Sequence, residues 1–135
     1  MQKRAKKSQA GSKSGSAVIL LENFLTILSE SNDDYALAKI SSFEQAALLR
    51  NLLFIVSRQR AVFDYLLDKH CQRSVRLRLR RIFWWALAEL FFLDGLPIAV
   101  TVDVACAFAK KRYSRSEASF LNAVLRKFAL IAEQG

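Results

Sequence analysis

Arg80-Arg81-Ile82-Phe83-Trp84-Trp85-Ala86-Leu87-Ala88-Glu89-Leu90-Phe91-Phe92-Leu93-Asp94-Gly95-Leu96-Pro97 is the stretch on which the fold of this chain turns. Between Ile82 and Leu93 its only ionisable residue is Glu89. A helix that is apolar on nearly every side has to be surrounded by other helices. Gly95 suits the left-handed residue just past a helix end, and Pro97 suits the first position of the next helix. The stretch therefore predicts a buried central helix over residues 80–94, with the rest of the chain wrapped around it. A membrane span does not fit. The apolar run is 12 residues long before it meets Asp94, Gly95 and Pro97, whereas a span needs about 20.

Downstream, Pro97 opens a helix to about Lys111, with Val102, Ala105, Cys106 and Ala109 as its apolar stripe. Lys110, Lys111 and Arg112 finish it, as the helix dipole favours. Ser114 followed three residues later by Glu117 has capping-box spacing and starts the last helix. Its buried face is Leu121, Val124, Leu125, Phe128 and Ile131.

Upstream, residues 73–81 alternate arginine with small and apolar side chains. Alternation can signal a strand, but nothing else in the chain would pair with one, and an isolated strand is not stable. A short helical turn leading into the central helix is the better reading. On it Arg73, Arg76 and Arg80 would fall at i, i+3 and i+7 and form one basic ridge. Ser41 and Glu44 have the spacing of a second capping box, ahead of an apolar helix over 43–56. A polar interruption at 57–60 separates it from a third helix, or a bent continuation, carrying Val62, Phe63, Leu66 and Leu67 and ending near His70. The first helix is expected over 17–29, with Val18, Leu21, Phe24, Leu25 and Leu28 at helical spacing. Asp33 and Asp34 read as part of a turn, and residues 35–40 as either a short helix or a linker. The fold class is all-α, a single helical domain over 17–133 with six or seven helices.

Residues 1–16 read as a disordered basic tail. They hold no large aliphatic side chain after Met1, so burial cannot offset the entropy of ordering them. The 135-residue chain has 21 Lys plus Arg against 12 Asp plus Glu, a formal net charge of +9. Lys3, Arg4, Lys6, Lys7 and Lys13 supply five of those nine charges with no acid among them, leaving +4 for the remainder. Clustered basic charge favours an anionic partner, either nucleic acid or an anionic membrane surface, although it also serves simple solubility.

No catalytic constellation is visible. His70 is the single histidine, placed near a helix C-terminus where a structural role suffices. Cys71 and Cys106 lie far apart with no metal-ligand spacing, which reads as two free thiols in a reducing, cytoplasmic compartment. The four glycines form no phosphate loop. Glu89 is expected to reach the surface or pair with an arginine. No metal or cofactor is expected, and binding is what remains. Single-stranded RNA is held by cations on its phosphates and aromatic faces under its bases. Phe120 follows the last cap and is either such a stacking group or a core aromatic.

The segments 89–97 (Glu-Leu-Phe-Phe-Leu-Asp-Gly-Leu-Pro), 103–110 (Asp-Val-Ala-Cys-Ala-Phe-Ala-Lys) and 120–127 (Phe-Leu-Asn-Ala-Val-Leu-Arg-Lys) resemble, in order and spacing, three motif blocks of the NusB family. That family includes the antitermination factor NusB and the N-terminal domain of RsmB-type 16S rRNA cytosine-5 methyltransferases. Asn122 to Arg126 looks closer to the methyltransferase branch. That enzyme's catalytic half has no counterpart in these 135 residues, so methyl transfer is not expected and a detached docking domain is the alternative reading. The resemblance implies a non-enzymatic protein that binds boxA-like single-stranded RNA in transcription antitermination and rRNA synthesis, with the ribosomal protein NusE and the RNA polymerase complex as partners. It places Phe120 and the basic N-terminal region at the RNA surface, and implies that Asn122 satisfies backbone groups near a helix start. Leu79 stands where the factor uses an acid against NusE, and Val104 where the family often has Glu. Gly11 to Gly15 stand where the factor carries arginines. The candidate RNA-binding residues are Lys3, Arg4, Lys6, Lys7, Lys13, Arg76, Arg80, Lys110, Lys111 and Phe120. Deleting residues 1–13 is expected to weaken RNA binding and to flatten its salt dependence by about 0.7 per lost phosphate contact, measured by titration across a salt series.

Overall fold

The computed structural model describes residues 10–29, 43–93 and 95–134, and among them finds five α-helices and no strand. These are α1 (Ala10–Ser29), α2 (Phe43–His70), α3 (Leu77–Phe91), α4 (Ile98–Arg112) and α5 (Arg115–Gln134). The all-α expectation holds, with fewer described helices than six or seven. One reason lies in α2, which runs unbroken through residues 57–60. Its buried residues Leu49, Leu52, Val56, Phe63 and Leu67 stay in phase across that segment, forming one stripe at helical spacing. Ser57, Arg58 and Arg60 are its exposed face, and with no Gly or Pro among them nothing stops the helix. The Ser41 cap, the Asp33–Asp34 turn and the alternatives for 35–40 lie outside the described residues.

α1 begins at Ala10 rather than Ala17. Gly15 and Ser16 are exposed, and burial starts at Ala17. The extra turns therefore propagate from a helix nucleated by the buried Leu20, Leu21, Phe24 and Ile27, and propagation is far cheaper than nucleation.

α3 is enclosed. All eight residues from 82 to 89 are buried, and the helix contacts each of the other four. It is shifted toward the N-terminus from the expected 80–94. At its end the N–H groups of Phe92 and Leu93 both donate to the Ala88 carbonyl, at 3.0 Å each. α4 closes in the same way, Tyr113 and Ser114 both donating to Ala109. This closure needs no left-handed residue. Gly95 accordingly lacks the positive φ expected of it, and a Cβ added there would meet nothing. Pro97 is the N-cap of α4, not its first helical residue: its carbonyl accepts from Val100 and Thr101, and Ile98 opens the helix. Glu89 does not reach the surface. It is 5% exposed and held in interactions where it is buried.

The paired tryptophans of α3 are bound differently. Trp84 donates from Nε1 to Asp64 Oδ1 on α2 at 2.8 Å, and the Arg60 guanidinium lies 4.4 Å from its ring centre. Trp85 is fully buried, and its Nε1 meets no acceptor among the described residues. A buried donor without a partner is destabilising, and removing it offsets part of any packing loss. Trp84→Phe is therefore expected to lower the unfolding free energy by about 1–2 kcal/mol more than Trp85→Phe. Urea denaturation of the two variants measures this, and equal losses would contradict it.

Candidate nucleic-acid interface

α3 and α5 start side by side, and a cleft of about 300 Å³ opens between their first turns. Residues 73–79 form one wall and residues 114–120 the other. Two helix N-termini border the cleft, so the positive ends of two dipoles add to its basic side chains. Arg76 is the N-cap of α3, with extended backbone (φ −62°, ψ 150°), and its carbonyl accepts from Leu79 and Arg80. Residues 71–76 are not helical. The short helical turn expected here is absent, and with it the ridge of Arg73, Arg76 and Arg80. Across the cleft, Ser114 Oγ accepts the Glu117 N–H at 3.0 Å, the cap that the Ser-x-x-Glu spacing predicts.

Carboxylates sort the arginines. Arg78 is locked: Nη2 donates to Glu117 Oε1 at 2.8 Å, and its guanidinium lies 4.3 Å from the centre of the Tyr113 ring. Arg80 turns away from the cleft toward α2, where Nη1 meets Asp64 Oδ1 at 3.0 Å and Nη2 lies 3.7 Å from Asp68. Arg112 is 3.8 Å from Glu22 and lies over Phe108. Among the described residues Arg73 and Arg76 meet no carboxylate, and both line the cleft.

Phe120 lies at the boundary of core and cleft. It is half-buried, its ring edge-to-face with the fully buried Phe83 at 6.2 Å. The Arg73 guanidinium covers it at 4.3 Å. The core expectation for this residue is met by the Phe83 contact, and its other side carries an arginine of the same chain.

Of the candidate residues, Arg76 and Phe120 share the cleft and Arg80 does not. Lys110 and Lys111 are exposed on the last turn of α4. Lys13 falls within α1, and Lys3, Arg4, Lys6 and Lys7 lie outside the described residues. Sequence reading saw Arg73 only as part of a ridge, and it missed Arg78, Ser74 and Ser116. The arginine-rich alternation was a usable signal, but it does not say which arginines meet an acid.

Two further polar side chains singled out by the sequence, His70 and Asn122, meet partners inside the bundle. His70 ends α2 edge-to-face with Phe128 at 5.2 Å. Among the described residues Asn122 caps no backbone group: its Oδ1 accepts from the Cys106 thiol of α4 at 3.8 Å. Burial, with Asp103 adding to it, pushes that thiol up to about 11, and burial raises Cys71 as well. Both are poor nucleophiles near neutral pH, because the thiolate is the reactive form. Among the described residues no group of three His, Cys, Asp or Glu could hold a metal ion, and no helix is long and apolar enough to cross a membrane.

The class these features define is an all-α bundle built on one enclosed helix, with a basic cleft between two helix starts. The NusB family model matches residues 13–130, most of the chain. This protein belongs to the NusB family. A search of curated proteins returns no match.

Two serines of the cleft separate capping from exposure. Ser114→Ala removes the α5 cap and is expected to cost about 1 kcal/mol of stability. Ser116→Ala, at an exposed position, should leave the melting curve nearly unchanged, and thermal denaturation of the pair checks this.

Proposed function

We propose that this protein is a non-enzymatic, cytoplasmic RNA-binding protein of NusB type. It takes boxA-like single-stranded RNA into the cleft between α3 and α5, in transcription antitermination and rRNA synthesis. The observation that carries the reading is the pairing of Arg73 and Arg76, two cations that meet no carboxylate among the described residues, with a half-buried aromatic, Phe120, in one cleft. Cations for phosphates beside a flat stacking surface for bases, here built on Phe120, are what single-stranded RNA requires. Membership of the NusB family supports the same reading. Lys110, Lys111 and the basic segment ahead of Ala17 supply further positive charge for the RNA backbone, and residues 17–133 act as the RNA-binding unit. NusE and the transcribing polymerase are the proposed protein partners.

Binding of a boxA-like strand and of a scrambled strand, each titrated across a salt series, tests this. The boxA-like strand should bind more tightly, and Arg76→Ala should lower the salt slope by about 0.7, the contribution of one phosphate contact. Equal affinity for both strands would sink sequence-specific recognition, and the absence of any salt dependence would sink RNA binding itself.

A further inference from the structure

The cleft holds a stack of three layers. Phe83 belongs to the core and is fully buried. Phe120 lies against it with its ring at 87°. Arg73 covers Phe120 with its guanidinium 4.3 Å from the ring centre. Phe120 is thus already covered by a side chain of the same protein. The outermost layer is Arg73, an exposed residue. It precedes α3 in a non-helical segment and meets no carboxylate among the described residues.

We propose that the base of a bound RNA nucleotide stacks on the outer face of the Arg73 guanidinium, making Arg73 the stacking surface of the cleft and Phe120 its support. This rests on the reading of the cleft as an RNA site. A guanidinium is planar, delocalised and weakly hydrated, and it stacks on aromatic faces. RNA bases stack on arginine planes as they do on aromatic rings. A base landing on Arg73 keeps the Arg73–Phe120 contact and adds a second one. A base landing on Phe120 must first break the contact already there.

Arg78, the other cleft arginine that lies over an aromatic ring, shows why Arg73 is the one available. Arg78 lies over Tyr113 at the same 4.3 Å, but Glu117 takes two of its N–H groups. That pair is neutralised and held in place. The N–H edge of Arg73 has no such partner, so it remains able to reach a phosphate while its plane carries a base. Arg73 and Ser74 are neighbours in the chain, and both line the cleft with Arg76, which leaves phosphate-binding groups beside the stacking face.

The test uses the full chain and the boxA-like strand, here carrying a fluorescent purine analogue. Arg73→Lys keeps the charge and removes the plane. It should preserve the salt slope, weaken binding about tenfold and abolish the quenching of the analogue by stacking. Phe120→Leu, which keeps apolar contact with Phe83, should weaken binding similarly. The double variant should show no further loss, because both substitutions break one stack. Wild-type affinity and quenching in Arg73→Lys would overturn the proposal and reduce Arg73 to a phosphate charge. Tighter binding by Arg73→Ala would also overturn it, since the guanidinium would then compete with the base for Phe120. Failure of the wild-type protein to bind either strand overturns the RNA reading together with the stack. Arg73 is exposed, so these variants are expected to fold, and a melting curve of each verifies it.

Discussion

Enclosure of α3 is the constraint on which the rest of the structure depends. Eight consecutive residues are removed from water, among them two tryptophans, a phenylalanine and an isoleucine. A buried side chain of this size contributes about 1.5–3 kcal/mol, and such a helix is stable only if every face is covered. Four helices do the covering, each turning a stripe of its own toward α3. Because α3 has no free face, it meets solvent only near its ends. Function that involves α3 must therefore lie at an end, and the cleft lies at its N-terminus, where the start of α5 meets it.

Electrostatics then divides the arginines around α3 into those held by carboxylates and those that are not. Arg80 is held by Asp64 and Asp68, so it fastens α3 to α2. Arg78 is held by Glu117 and Tyr113, so it fastens the start of α3 to that of α5. Arg112 bridges α4 to α1 through Glu22. What remains in the cleft is Arg73 and Arg76. Exposed ion pairs contribute little to stability individually. Their larger effect here is to neutralise some cations and leave others in place.

Packing and charge meet at Phe120. One contact ties it to Phe83 in the core, and another puts it under Arg73 at the surface. A side chain held from behind by the core loses little freedom when a ligand arrives. The cleft is thus stiffened by the same enclosed helix that supplies Phe83.

The sequence by itself determined the helical class, an enclosed central helix (expected over 80–94, buried over 82–89) and the Ser114 cap. Each is legible because it is local: hydrophobic periodicity and a cap spacing are both read within one or two turns. Tertiary structure alone decided the continuity of α2, the closure of α3 without a left-handed Gly95, and the identity of the free arginines. The last of these depends on partners distant in the chain. Arg80 finds Asp64 16 residues away, and Arg78 finds Glu117 39 residues away. A row of arginines carries the same charge at every position until folding brings a carboxylate to some and an aromatic ring to others. The opening stretch therefore announced a core, but only the packed helices show which of the charges leading into it meet a carboxylate.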